Sequence, residues 1–143
     1  MIYNEETIKQ FLIDVEGLFP VPLSKKNDLN QLAKKFSKYA TLCIESQGDN
    51  IISLVAGYTD NVVNDMGYIS VVATRKEAQG KGFAVKLIKE FLEICKQKKL
   101  RAVHLYAVSS NIAAMKMYRK LGFQEWHIPD EVRPNDVHLI YYL

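Results

Sequence analysis

A glycine-rich turn at residues 79–85, reading Gln-Gly-Lys-Gly-Phe-Ala-Val, is the segment of this sequence best suited to hold a charged ligand. It lies between an apolar, strand-like stretch and a long amphipathic helix. Glycines at a helix start let several backbone N–H groups point at one place, and the helix dipole adds partial positive charge there. Because such turns bind phosphate groups, the segment predicts a phosphate-bearing cofactor.

Two common phosphate-binding motifs do not fit the spacing of this turn. A Walker A loop has four residues between its first glycine and a Gly-Lys-Ser/Thr end, whereas Gly80 and Gly82 are one residue apart and Gly82 follows Lys81. A dinucleotide fingerprint has a third small residue where Val85 stands. Taken alone, the segment leaves an ordinary strand-to-helix turn open as the alternative.

A second segment, residues 109–123, narrows the interpretation. It has Asn111 at a predicted helix start, small residues in the first turn, Tyr118 seven positions on, and then Leu-Gly-Phe. This pattern resembles the GNAT acetyltransferase superfamily. The run Gln79-x-x-Gly82-x-Ala84 is similar to that superfamily's pyrophosphate loop, Gln/Arg-x-x-Gly-x-Gly/Ala, and the two segments occur in the superfamily's order. The resemblance covers residues 39–123 well and the two ends loosely.

The resemblance implies acetyl-CoA as co-substrate and no metal. The backbone amides of residues 80–85 would hold the pyrophosphate, and the backbones of Val72 and Thr74 would bind the pantetheine arm. The family usually has an aliphatic residue where Thr74 stands, a change that a backbone contact tolerates. The cofactor-binding residues predicted in this way are Val72, Thr74, Gln79, Gly80, Lys81, Gly82, Phe83, Ala84, Val85 and Asn111. Asn111 is also a suitable helix cap, which alone would explain it.

The implied reaction is direct attack of a primary amine, of a small molecule or a peptide, on the thioester. An alkyl amine has a pKa of about 10.4, so making it neutral at pH 7 costs about 4–5 kcal/mol. A base is therefore needed, and Tyr118, two helical turns past Asn111 on the same face, is predicted to protonate the leaving thiolate. The alternative for Tyr118 is a packing tyrosine.

The sequence does not identify the base. Glu45, Asp60, Asp65 and Tyr68 are candidates, and each is equally well explained as a solvated hairpin or strand-face residue. Enzymes resembling the ribosomal-protein N-terminal acetyltransferases carry a glutamate five positions before the asparagine. Tyr106 stands there, which argues against that acceptor class.

Three segments are predicted to wall the acceptor site: residues 19–23, 60–65 and 128–136. Asp130, Glu131 and Asp136 could attract a cationic amine, although an ordinary polar loop explains them as well. The sequence does not identify the acceptor itself. A non-catalytic CoA-binding regulatory domain is the alternative function. A nucleic-acid patch at Lys96, Lys98, Lys99 and Arg101 is disfavoured, and a homodimer is compatible with the sequence.

Composition favours one soluble domain over residues 1–143, with 48% apolar and 24% charged residues and a net charge of +3. The sequence has no apolar run long enough to cross a membrane. Its acidic N-terminus does not resemble a signal peptide, so the expected location is cytoplasmic. Cys43 and Cys95 are expected to be buried thiols, and each of the three histidines is expected to be a surface or packing residue rather than a metal ligand.

The predicted fold class is mixed α/β, a single-domain GNAT-like fold. Its sheet would be mixed and mostly antiparallel with helices on both faces, and it would contain one parallel strand pair, which the resemblance implies is splayed. Periodicity predicts helices at residues 5–18, 27–39, 83–98 and 111–122 and strands at 41–46, 51–58, 67–74, 102–108, 123–127 and 137–143. The family fold begins with an edge strand, for which only residues 1–4 are available.

Overall fold

The computed structural model describes residues 3–129, 131 and 133–143 as a six-stranded sheet with helices packed on both faces. The helices are α1 (Glu5–Val15), α2 (Leu29–Tyr39), α3 (Phe83–Gln97) and α4 (Ile112–Leu121). The strands are β1 (Thr41–Gln47), β2 (Asn50–Tyr58), β3 (Met66–Thr74), β4 (Ala102–Val108), β5 (Gln124–Glu125) and β6 (Asp136–Tyr142). The predicted fold class is confirmed.

The strands are arranged in the order β1-β2-β3-β4-β6-β5. Only β3 and β4 are parallel, and α3 forms the crossover between them. Every other neighbouring pair is antiparallel. This arrangement follows from connection length, because short turns join antiparallel strands whereas a strand–helix–strand unit returns in parallel.

The parallel pair is short. Residue pairing between β3 and β4 runs only from Met66↔Ala102 to Tyr68↔His104. Beyond Tyr68 the two strands separate, and residues 69–74 keep one edge free of β4. The splay that the family resemblance implied is therefore present.

Apolar side chains fill both sides of the sheet. Against α3 and α4 the core contains Val55, Ile69, Leu87, Phe91, Cys95, Val103, Leu105 and Leu139. Against α1 and α2 it contains Phe11, Leu12, Phe36, Leu54, Ala56 and Val71. Both helical pairs are amphipathic, so each buries one face on the sheet and leaves charged residues in water.

The helices begin at side-chain caps. Asp28 Oδ1 accepts hydrogen bonds from the amides of Asn30 (2.8 Å) and Gln31 (3.2 Å), as expected for a residue at that position. Asn4 caps α1 in the same way. Asn4 therefore belongs to a helix start and Tyr3 to no strand, while Met1 and Ile2 of the expected edge segment lie outside the described residues.

Two predicted boundaries are wrong. The first helix ends at Val15 and continues as a 3₁₀ turn, Glu16–Leu18, because Gly17 and Pro20 disfavour a further α-helical turn. The strand predicted at residues 123–127 is reduced to Gln124–Glu125. Past it, Trp126 packs beside the cluster of Met66, Ala102 and Ile140.

No helix in the ranges described above combines the length and the apolar character that a bilayer-spanning segment requires.

Candidate active site

A cavity of about 730 Å³ opens where β3 and β4 part. It is bounded by both strands, the start of α3, the first turns of α4 and the α1–α2 connection. The predicted cofactor residues that line it are Val72, Thr74, Gln79, Gly80, Gly82, Phe83, Ala84, Val85 and Asn111, and Tyr118 lines it as well. Lys81 does not line the cavity. The glycine turn and the start of α4, which residues 86–110 separate in the sequence, thus meet at one site.

The turn before α3 presents unpaired amides to this cavity. The N–H groups of residues 80–85 have no backbone acceptor among the described residues, and the next amide, Lys86 N, returns to Gly82 O at 3.0 Å. Gly82 caps the helix through its backbone, without a side-chain hydrogen bond. Gly80 and Gly82 have φ angles of 78° and 83°, a region that residues with a Cβ rarely adopt. The turn is therefore glycine-dependent and rich in free donors.

The free edge of β3 continues the row of polar groups. Arg75 N donates to Ile52 O of β2 at 2.9 Å, and backbone groups alternate sides along a strand. The N–H and C=O groups of Val72 and Thr74 therefore point away from β2, toward the gap. The Gln79 side chain donates to Thr74 O at 3.2 Å, which ties the glycine turn to the end of β3.

A β-bulge lies in β3 beside the point where the strands part. Ala56 of β2 pairs with Val71 and Gly57 pairs with Ile69, so Ser70 has no partner across the pair. A bulge re-aims the backbone groups next to it. Ser70 lines the cavity, and no residue pattern in the sequence predicted this bulge.

Tyr118 is 7% exposed and packs edge-on against Phe123, with ring centroids 5.7 Å apart. Burial raises the pKa of its phenol above the ordinary value of 10. The group is thus protonated throughout the physiological range. The side chain of Asn111, two helical turns before Tyr118, accepts a hydrogen bond from Ala114 N at 3.2 Å and caps α4.

A second cavity of about 520 Å³ lies on the side of the sheet that carries α2. Its lining includes the aromatic rings of Tyr58, Tyr68, His104, Tyr106, Trp126 and His138, together with Lys35, Met66, Ile128 and residues of the β2–β3 connection. Tyr68 and Tyr106 line both cavities. The two cavities therefore adjoin at this pair of tyrosines, just where β3 and β4 separate.

A hydrogen-bond network surrounds Tyr106. Its hydroxyl donates to Glu131 Oε2 at 3.0 Å, and Glu131 Oε1 is 3.2 Å from His138 Nδ1. His138 Nε2 is in turn 2.9 Å from His104 Nδ1. The Arg133 guanidinium lies 3.7 Å from the centroid of the Tyr106 ring. His104 and His138, expected to be surface or packing residues, are thus hydrogen-bonded to each other within this network.

Burial lowers the pKa of both histidines, with that of His104 at about 4, because a charged imidazolium loses solvation there. The proximity of the two rings adds to the effect on His104. Burial also raises the pKa of Tyr106, and its hydrogen bond to Glu131 acts in the same direction. At neutral pH both imidazoles and the phenol are therefore uncharged.

Of the candidate bases named from the sequence, only Tyr68 lines both cavities. Glu45 pairs with Lys86 at 3.0 Å on the exposed side of α3. Asp60 lines the second cavity but pairs with Lys98 at 2.8 Å. Asp65 is exposed and lines neither cavity. The network at Tyr106 was missed because Tyr106 and His138 become neighbours only through the β4–β6 register.

The expected acceptor walls are divided between the two cavities. Residues 18–23, Arg133 and Asp136 line the first, whereas residues 60–64 and Ile128 line the second. Lys26 reaches Asp136 at 3.9 Å and links the α1–α2 connection to β6. Asp130, named with this loop, lies outside the described residues.

The two cysteines are buried, and two residues of the basic cluster contact other parts of the protein. Cys43 and Cys95 are buried free thiols, as expected, and burial raises the pKa of each to about 11. Within the basic cluster, Lys98 is paired with Asp60, and Arg101 Nε donates to Asn64 O at 2.7 Å. In the described part of the chain, no group of His, Cys, Asp or Glu side chains is arranged to bind a metal ion.

Residues 8–123 match the model of the acetyltransferase (GNAT) family. Since this is most of the sequence, the chain belongs to the GNAT acetyltransferase family. The glycine turn at the start of α3 carries one of the two motifs on which the resemblance rested, and the splayed strand pair is a feature that the resemblance implied.

Named relatives match shorter stretches. Mycothiol acetyltransferase from Actinosynnema mirum is 41% identical over 61 residues, which are 43% of this chain and 20% of that protein. N-alpha-acetyltransferase 30 from Schizosaccharomyces pombe is 39% identical over 57 residues, 40% of this chain and 38% of that protein. The matches thus span well under half the length of these relatives.

Among solved structures, the PaiA N-acetyltransferase from Thermoplasma acidophilum, crystallised with coenzyme A, superimposes with a TM-score of 0.72. The alignment covers 100% of this chain and 97% of that one at 10% identity. At this identity the likeness concerns the fold alone.

Proposed function

We propose that this protein transfers the acetyl group of acetyl-CoA to a primary amine of a small molecule or peptide by direct attack. One observation carries the proposal: a run of unpaired amides at residues 80–85 adjoins the free edge of β3 within one cavity. Donors for a diphosphate and an open strand edge for an amide-containing arm are what acetyl-CoA needs. Family membership and a structural neighbour crystallised with coenzyme A support it.

In this proposal the cofactor lies along the splay. Its pyrophosphate accepts hydrogen bonds from the amides of residues 80–85, with Lys81 adding charge from the rim. Its pantetheine arm pairs with the backbone of Val72 and Thr74, and Asn111 contacts the arm from the α4 side. Gln79 then acts indirectly, since its side chain holds the turn on Thr74 O.

The chemistry takes place near the bulge. The amine nitrogen forms a bond to the thioester carbonyl carbon, and the developing oxyanion accepts a hydrogen bond from a backbone amide near Val72. Collapse of the intermediate breaks the C–S bond. Tyr118, kept neutral by burial, donates its proton to the leaving thiolate, and the proton that the amide nitrogen loses on collapse restores the phenol. Desolvation in the same cavity also raises the pKa of the leaving coenzyme A thiol. The difference in pKa between the Tyr118 phenol and this thiol is therefore smaller.

The acceptor amine approaches from the other side of the sheet, at Tyr68 and Tyr106, where the two cavities adjoin. The matched relatives are named mycothiol acetyltransferase and N-alpha-acetyltransferase 30, so their names do not point to one acceptor class. The lining of the second cavity, which is aromatic and has Asp60 already paired, favours an acceptor with an apolar body over a polyamine.

The test has two steps. Coenzyme A at a large excess over its Kd should raise the melting temperature, because a ligand specific for the native state stabilises it. A panel of amines with acetyl-CoA should then release free thiol with at least one acceptor class. Binding without turnover on any amine would favour the alternative, a CoA-binding regulatory domain, and absence of binding would end both.

A further inference from the structure

We propose that Tyr106 and Glu131 form the proton exit for the acceptor amine, with His138 and His104 as positioning residues. This inference rests on the proposed function and supplies the base that the sequence left unassigned. Its starting point is the hydrogen-bonded series Tyr106–Glu131–His138–His104, with separations of 3.0, 3.2 and 2.9 Å.

Tyr106 is the only member of the series that reaches both cavities. Glu131 lines neither of them and borders a third, shallow cavity at the surface. Its side chain is 23% exposed, whereas that of His138 is 4% exposed. A proton that enters at Tyr106 therefore reaches solvent through Glu131.

The donors of the series all point toward the carboxylate. A carboxylate only accepts hydrogen bonds, so Glu131 receives the Tyr106 O–H and the His138 Nδ1–H. His138 is then left with a lone pair on Nε2, which accepts the Nδ1–H of His104. Two neutral imidazoles satisfy this arrangement, and burial favours their neutral forms. His104 thus fixes the tautomer of His138, and His138 fixes the rotamer of Glu131.

Other charged groups complete the surroundings. Arg133 stacks on the Tyr106 ring and pairs with Asp136 at 3.4 Å, and Lys26 approaches Asp136 from the α1–α2 connection. Tyr68, whose pKa is raised by burial, faces Tyr106 with ring centroids 6.4 Å apart. The one carboxylate among these groups, Asp136, is paired with Arg133 and Lys26, whereas Glu131 Oε2 accepts the Tyr106 hydroxyl and is therefore the proton acceptor.

The step conserves every proton. An N–H bond of the bound ammonium breaks as an O–H bond forms on Tyr106, and the original Tyr106 proton passes to Glu131 Oε2. The neutral amine then attacks the thioester, and Glu131 returns its proton to solvent. The phenol is unchanged at the end, and Glu131 is again ionised.

The experiment measures kcat/KM between pH 6 and pH 10 for Tyr106→Phe, Glu131→Gln and the double variant, using the acceptor on which the wild-type protein turns over. We expect each single variant to lose about 10²-fold at pH 7, a typical contribution of a positioned base. The loss should shrink as the pH approaches the acceptor's pKa of about 10.4, because the amine is then already neutral. The double variant should be no slower than either single variant, since both act in one path.

Exposed Tyr39→Phe and Glu90→Gln serve as matched controls and should retain wild-type rates. Coenzyme A binding by each variant, measured by thermal shift, should stay unchanged. A loss that is constant with pH, or multiplicative effects in the double variant, would overturn the inference while wild-type turnover keeps the proposed function intact. Absence of wild-type turnover would instead refute the proposed function.

Discussion

Tyr118 shows how a side chain whose position follows from spacing acquires its chemical character only in the fold. Its distance from Asn111 places it on the α4 face that lines the first cavity, and its burial raises the phenol pKa. We expect Tyr118→Phe to lower kcat about 10²-fold. The KM for acetyl-CoA should change little, because only the hydroxyl is removed and the ring still packs on Phe123.

Steady-state release of free thiol measures both constants. The matched control is Tyr142→Phe, at a tyrosine that is 56% exposed, and it should behave as the wild type does. An unchanged kcat for Tyr118→Phe would remove this tyrosine from the mechanism and leave it a packing residue.

At the scale of elements, the glycine turn that begins α3 joins backbone conformation to ligand binding. Gly82→Ala places a Cβ on a residue with a φ angle of 83°, which costs about 1–2 kcal/mol of stability. The space around that Cβ is open, so the cost is one of backbone conformation rather than collision. We expect Gly82→Ala to lower the melting temperature and also to weaken coenzyme A binding at least tenfold, as measured by calorimetry.

Gly48→Ala separates the two effects. Gly48 lies in the β1–β2 hairpin with a φ angle of 61° and equally open surroundings. The Gly48→Ala variant should lose about as much stability as Gly82→Ala and keep full affinity for coenzyme A. Equal affinities of the two variants would contradict a role for the turn in binding.

Elements with local signals were predictable, and contacts made across the sheet were not. The glycine turn, the cap at Asp28 and the crossover that makes β3 and β4 parallel all follow from neighbouring residues or connection lengths. The bulge at Ser70 and the contact between His104 and His138 depend on strand register, which single residues on different strands do not encode. Of the base candidates chosen by residue type, Glu45 and Asp65 therefore line neither the first nor the second cavity.

The whole molecule should become less stable in mild acid. An unfolded histidine has a pKa of about 6.5, whereas burial lowers the folded value of His104 to about 4 and lowers that of His138 as well. Between these values the unfolded chain binds more protons, so the free energy of unfolding falls as the pH drops from 6.5 toward 4. The stability that the neutral forms of these two histidines contribute is fully present above pH 6.5.

Melting temperatures at pH 7 and pH 4.5 measure this effect. His104→Phe should show a smaller decrease than the wild type, and His127→Phe, at an imidazole that is 88% exposed, should show the wild-type decrease. The same slope in all three proteins would mean that carboxylates, not these imidazoles, dominate the acid response.

The short pairing of β3 with β4 sets the stability of the protein against its activity. Extending the ladder past Tyr68 and His104 would add interstrand hydrogen bonds and make the resting protein sturdier. On the function proposed here, it would also close the slot that the substrate's arm must occupy. The sheet thus leaves part of the β3–β4 edge without interstrand hydrogen bonds. Selection for heat resistance alone is expected to extend the pairing across this gap and to yield stable but inactive variants.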